Sequence, residues 1–124
     1  NSSLTRSILN EELVINMLNK YNFEYINLED YSFADKIKLF YEAKTIISSN
    51  SGGLVFTLFC NKETDIIEII NKGQGVNLNN HWKFQCESLN LKYNRYSNIN
   101  EDSLGCFNLD IEAFENYLKN NKLI

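Results

Sequence analysis

Read for hydrophobic rhythm, the chain alternates between segments with helical spacing and short apolar runs. Asn10 precedes a first helix in which Glu11 and Glu12 favour the positive helix start, Leu13, Val14, Met17, Leu18 and Tyr21 share a face, and Asn22 is the stop. Phe23 to Leu28 alternates enough to predict a strand, closed by Glu29 and Asp30. Ser32 and Asp35 stand at capping-box spacing ahead of a second helix, with Phe33, Ile37, Phe40 and Tyr41 on its apolar side and Lys36, Lys38 and Glu42 facing water. Thr45-Ile46-Ile47-Ser48 is a β-branched run of buried-strand type that stops at the small residues Ser49 to Gly52. Beyond Gly53, Leu54 to Cys60 is apolar on all sides, which predicts an interior element, read as a helix.

Asp65-Ile66-Ile67-Glu68-Ile69-Ile70 is too apolar for a surface strand and is expected at the centre of a sheet covered on both faces. Gly73 to Asn80 reads as a loop, His81 to Leu89 as a helix with Trp82, Cys86 and Leu89 inward, Leu91 to Tyr96 as a strand and Ser97 to Asn108 as a further loop. Asp110 caps a last helix with Ile111, Phe114 and Leu118 on its apolar side and Tyr117 beside them, fraying from Asn120. This alternation of helices and strands implies right-handed βαβ crossovers. It predicts a three-layer, Rossmann-like α/β domain over residues 1–124, with a parallel sheet of about four or five strands. Ligands of such sheets bind outside the carboxyl ends of the strands.

Composition narrows the picture. A chain of 124 residues, 44% hydrophobic and 13% aromatic, has material for one domain with a real core and is short for two. A net charge of −4 and a pI near 5.0 lack the basic stripe of a nucleic-acid surface, so no nucleic-acid partner is expected. Cys60, Cys86 and Cys106 are odd in number and widely spaced, which fits a reducing, cytoplasmic-type composition and neither a disulfide framework nor a zinc site. The single histidine, His81, reads as a helix-start or surface residue, and no metal is expected. No apolar run reaches membrane-spanning length, so no membrane segment is expected in this stretch. Without an initiator methionine, Asn1 is read as lying inside a longer chain. Twenty asparagines beside no proline fit an AT-rich coding sequence and supply helix caps.

Two places carry candidate chemistry. At Ser51-Gly52-Gly53-Leu54 a strand is expected to turn into a helix whose first amides point outward with partial positive charge, and glycines let an anion approach the backbone. A phosphate would fit there; alternatively, the paired glycines serve only a tight turn. Glu68 is the second place, because a carboxylate in so apolar a strand needs a hydrogen-bonding partner. It is either a sheet-end acid paired with a nearby lysine or an acceptor for a ribose hydroxyl. Trp82 reads as a core anchor, with a sugar platform as its alternative.

The residues also resemble glycosyltransferase family 61. Arg6-Ser7-Ile8-Leu9-Asn10-Glu11-Glu12-Leu13 is similar to an R-x-I-x-N-E-x-E-L start, and Ser32 to Ala43 to S-F-x-E-Q-I-x-L-F-x-x-A. Ile47 to Leu54 resembles I-G-x-H-G-A-G-L, Ile66-Ile67-Glu68-Ile69 follows in the family's order, and the stretch Leu89 to Tyr93 and the closing Asp110 helix also fit. The resemblance implies the C-terminal, nucleotide-sugar lobe of a two-lobed GT-B transferase. Such an enzyme inverts the anomeric centre without an essential metal or other cofactor and works in polysaccharide or glycoprotein glycan synthesis. Its partners would be a nucleotide-sugar donor, a glycan acceptor and a missing N-terminal lobe or partner subunit. Carried onto this chain, the donor site would use Arg6, Asn50, Ser51, Gly52, Gly53, Leu54 and Glu68. The acceptor-activating base has no counterpart to name. The pattern is departed from at Asn50 (His in the family), Ser51 (Gly), Phe56 (Asn) and Lys36 (Gln). A neutral asparagine donates a hydrogen bond but cannot act as an imidazole acid or base. Two readings follow: a sugar transferase lobe, or a non-catalytic nucleotide-binding or scaffolding relative that pairs with an active transferase.

Overall fold

The computed structural model describes residues 8–71, 80–98 and 107–124. It is an α/β fold in the order α1 (Glu11–Asn19), a short 3-10 turn (Leu28–Asp30), α2 (Phe33–Glu42), β1 (Thr45–Ser49), a 3-10 helix (Gly52–Phe59), β2 (Asp65–Asn71), α3 (His81–Ser88), β3 (Lys92–Asn98) and α4 (Ile111–Asn120). The strands form a three-stranded parallel sheet in the order β1-β2-β3, flanked by helices. The sequence-predicted loops around 73–80 and 97–108 lie mostly outside the described residues, as do Arg6 and Cys106.

The chain divides into two compact units, one of Asn27–Ile70 and Gly75–Tyr96, the other of Asn1–Ile26, Asn71–Gln74 and Ser97–Ile124. In the first, β2 takes the central place that its composition requires. Ile66, Ile67, Ile69 and Ile70 are all buried, as is Glu68 between them. Each buried isoleucine is worth about 1.5–3 kcal/mol. Four of them outweigh the several kcal/mol, in order of magnitude, that desolvating one paired carboxylate costs. β1 lies parallel to β2, with Ser48 opposite Glu68 and Ile47 opposite Ile67. As the outer strand it is half-buried throughout rather than buried. The Thr64 hydroxyl donates to the Ala43 carbonyl at 2.9 Å and fixes where β2 enters.

The segment Leu54 to Cys60 corrects an expectation. It forms a 3-10 helix, and its apolar residues do not all turn inward: Leu54 and Thr57 are buried, whereas Val55 and Leu58 are 42% and 53% exposed. Three residues per turn stack positions i and i+3, so the row of Leu54 and Thr57 is fully buried while Phe56, on the next row, is half-buried. The Thr57 hydroxyl donates to the Leu54 carbonyl at 2.7 Å, and the Gln85 amide on α3 donates both to Thr57 Oγ1 at 2.9 Å and to the Val55 carbonyl at 3.1 Å. Phe56 packs against Phe33 and Phe40 of α2, each at 5.7 Å between ring centroids. On α2 only Phe40 of the predicted face is fully buried; Phe33 and Tyr41 are exposed. On α3 the anchor is Cys86 rather than Trp82, which is half-buried, and His81 is the exposed first residue.

In the second unit α1 lies against α4, and the buried residues of the two helices are Val14 and Met17 on α1 and Phe114 and Leu118 on α4. Asn10 precedes α1 without capping it. Its side chain instead donates to the Leu109 carbonyl and accepts from the Leu109 amide, both at 2.9 Å, in the manner of a sheet pair. Glu115 accepts from the Tyr21 hydroxyl and pairs with Lys20 at 3.4 Å. Those contacts, the tyrosine bond foremost, hold its carboxyl below the ordinary value.

Phe23 to Leu28 is not a strand, so the described residues hold three strands where four or five are expected. The Asn27 side chain accepts from the Glu29 amide at 3.2 Å, which starts a 3-10 turn in place of a ladder. The predicted caps at Ser32 and Asp110 are in place, accepting from the amides of Asp35 and Ala113. Replacing Asp110 with Ala should therefore lower stability by about 1 kcal/mol, read as a reduced urea midpoint with an unchanged slope.

Candidate functional site

The glycine turn follows the carboxyl end of β1. Asn50 is buried, Ser51 is the extended residue ahead of the 3-10 helix, and Gly52 and Gly53 open it. The Leu54 amide is already bonded to the Ser51 carbonyl at 3.2 Å. It is thus the first amide consumed by the helix, and those of Gly52 and Gly53 precede it. The two glycines differ. A Cβ built on Gly53 would lie 2.7 Å from Leu28 Cδ1, so its smallness serves packing, whereas one built on Gly52 meets nothing within 4 Å. Gly52 is the place where the backbone is open to an approaching group.

Glu68 does not pair with a lysine. Its side chain is 0% exposed and is divided between two sets of partners. Oε2 accepts from the Asn50 amide, and Oε1 accepts from the Tyr93 hydroxyl and from Arg95 Nη2 at 3.5 Å. Arg95 also donates through Nε to the Tyr93 oxygen at 2.9 Å and through Nη1 to Asn80 Oδ1, just ahead of α3, at 2.7 Å. Burial, with the facing Glu68 carboxylate, pushes the Tyr93 hydroxyl well above its ordinary value of 10.0, opposed in part by Arg95. Tyr93 therefore stays a neutral donor. Burial also raises the Cys60 thiol from 9.0 to about 12 and moves Cys86 in the same direction. Neither thiol is a ready nucleophile at neutral pH.

The structure thus brings Asn50 and Glu68 into direct contact and sets Ser51, Gly52, Gly53 and Leu54 beside them in the chain, while Arg6 lies outside the described residues. The buried Glu68 carboxylate accepts from the protein's own donors Asn50, Tyr93 and Arg95. Tyr93, Arg95 and Asn80 are the members of this cluster that the sequence reading leaves out. The spacing of Tyr93 and Arg95, two residues apart and so on one face of a strand, is a weak local signal that does not identify Glu68 as their partner. Among the described residues no group of three or more His, Cys, Asp or Glu is placed to hold a metal ion, and no helix is long and apolar enough to cross a membrane.

A parallel sheet with a glycine turn at the carboxyl end of one strand and a buried polar cluster on the next makes this an α/β protein with its candidate site at the strand ends. Within that class the chain belongs to glycosyltransferase family 61, whose model matches residues 1–67. It is also similar to protein O-linked-mannose beta-1,4-N-acetylglucosaminyltransferase 2 of Xenopus tropicalis, at 29% identity over 108 residues. That alignment covers 82% of this chain but 18% of the relative, so the chain spans under a fifth of the relative's length.

Removing one partner from a buried ion pair costs about 3–5 kcal/mol. Replacing Glu68 with Ala should cost an amount in that range, since Tyr93, Arg95 and Asn50 all lose their acceptor; urea denaturation reads it. The raised thiol and phenol give a second expectation. Their protonated forms are favoured by folding, so the stabilisation is complete below the unfolded values of 9.0 and 10.0 and is lost as pH rises toward the folded ones. Stability should fall as pH is raised above about 9, and less steeply in Tyr93→Phe, which urea midpoints at a series of alkaline pH values measure.

Proposed function

We propose that this chain is the nucleotide-sugar-binding lobe of a GT-B-type, Rossmann-like glycosyltransferase and part of a longer two-lobed protein. It would act in the transfer of a sugar to a glycan or glycoprotein acceptor. The observation that carries the reading is the open backbone at Gly52, beside the unconsumed amides of the glycine turn and at the carboxyl end of a parallel strand. Glycosyl transfer passes through an oxocarbenium-like transition state, and charge develops on the departing nucleoside diphosphate. Amides fixed before the reaction stabilise such charge without reorganising during it. In this reading Gly52 and Gly53 receive the diphosphate, Ser51 and Leu54 shape the turn and Arg6 supplies a counter-charge. Asn50 and Glu68 belong to the site as its support.

The second reading, a non-catalytic relative, is favoured by one observation. Asn50 stands where the family pattern has histidine, and its amide is committed to Glu68. The position therefore offers no acid or base to a reacting group, and nucleotide binding without turnover is the outcome it favours.

Calorimetric titration with UDP-, GDP- and CMP-sugars, UDP-N-acetylglucosamine among them, is expected to show binding of one nucleotide class; no binding to any would end both readings. Gly52→Ala should leave stability unchanged or raise it by about 0.4–1 kcal/mol, read by urea denaturation, because the Cβ has room and the unfolded chain is restricted. The same substitution should weaken nucleotide binding, and undiminished binding would remove the turn from the site. Release of free nucleotide on adding glycan acceptors separates transferase from binder. Turnover appearing only in Asn50→His would mark a lapsed enzyme.

A further inference from the structure

The cluster around Glu68 joins β3 and the start of α3 to the residue that opens the glycine turn, and every link has been located. Asn50 is 4% exposed, so its side chain belongs to the interior rather than to a ligand surface, and its orientation is set by Glu68 Oε2. The other carboxylate oxygen is held by the Tyr93 hydroxyl and by Arg95. A carboxylate gripped at one oxygen cannot rotate about its last bond, so the second oxygen is fixed as well. Tyr93 is constrained in turn, because Arg95 Nε donates to its oxygen at 2.9 Å and leaves its proton for Glu68. Arg95 is tied at its far end to Asn80.

We propose that Tyr93 and Arg95 are positioning residues for the glycine turn: acting through the Glu68 carboxylate they hold Asn50, and so set the direction in which the amides of Gly52 and Gly53 point. The inference rests on the reading of that turn as the diphosphate seat. Neither side chain touches the ligand. Their work is to keep the seat formed before the ligand arrives, which lowers the ordering cost of binding.

The test uses the full chain with Tyr93→Phe and Arg95→Lys, which remove or displace donors while keeping most of each side chain's bulk. Calorimetry with UDP and with inorganic pyrophosphate gives affinities, and amide hydrogen exchange at Gly52, Gly53 and Leu54 reports the turn, with α4 amides as the reference for global stability. Each variant is expected to weaken both ligands about threefold to tenfold, the loss of one hydrogen bond's worth of preorganisation. Exchange should quicken at the turn and not in α4. Adding Tyr93→Phe to Asn50→Ala should cause no further loss of affinity, because the path through Asn50 is already cut. Unchanged exchange at the turn in both variants would overturn the proposal whatever the affinities, and so would full additivity with Asn50→Ala. Should the unsubstituted chain bind neither UDP nor pyrophosphate, the diphosphate reading fails by itself, and the exchange comparison still decides whether Tyr93 and Arg95 position the turn.

Discussion

A carboxylate sealed inside a strand of isoleucines has to be answered by the rest of the fold. Glu68 lies at the middle of β2, and β2 at the middle of the sheet. Both oxygens must find donors without water, and the protein supplies them from two directions, Asn50 after β1 and the pair Tyr93 and Arg95 on β3, with Arg95 itself tied to Asn80 before α3. The network fixes how the glycine turn leaves β1, so the demand of one buried acid reaches the candidate binding surface. A well-packed apolar side chain at position 68 would spare the desolvation cost. It would also leave Asn50 without the acceptor that orients it.

What was legible in the sequence was what local pattern encodes. The isoleucines of β2 told of its central place, the Ser32 and Asp110 caps of two helix starts, and the isolated acid in β2 of a necessary hydrogen-bonding partner. The identity of those partners was not legible, because Asn50, Tyr93 and Arg95 lie 18, 25 and 27 residues away from Glu68 and only the folded sheet assembles them. Phe23 to Leu28 misled for a local reason. Its alternation suits a strand, but Asn27 offers the backbone a competing bond. The 3-10 form of Gly52–Phe59 was hidden because an all-apolar run has no period to read.

The departures from the family's pattern are not scattered. Lys36 and Phe56, two of the four, meet in the fold, with the lysine ammonium 5.7 Å from the phenyl centroid. A cation over a ring is a contact that neither substitution would make alone, worth roughly 0.5–1 kcal/mol at an exposed site. The third, Asn50, keeps an N–H donor toward Glu68. Unlike an imidazole, its amide cannot exchange a proton at neutral pH.

The helix ends carry a different lesson. Three helices, α1, α3 and α4, are followed by residues in the left-handed backbone region, Asn22, Asn90 and Lys122, and after each the next amide bonds back to the last turn. Glycine would enter that region without steric cost but would give the unfolded chain more freedom to lose. A side chain there costs about 1–2 kcal/mol of strain, and the restriction of the denatured ensemble, about 0.4–1 kcal/mol, offsets only part of it. Asparagine is the non-glycine residue best suited to that region, so Lys122 is the junction of the three that carries the most backbone strain.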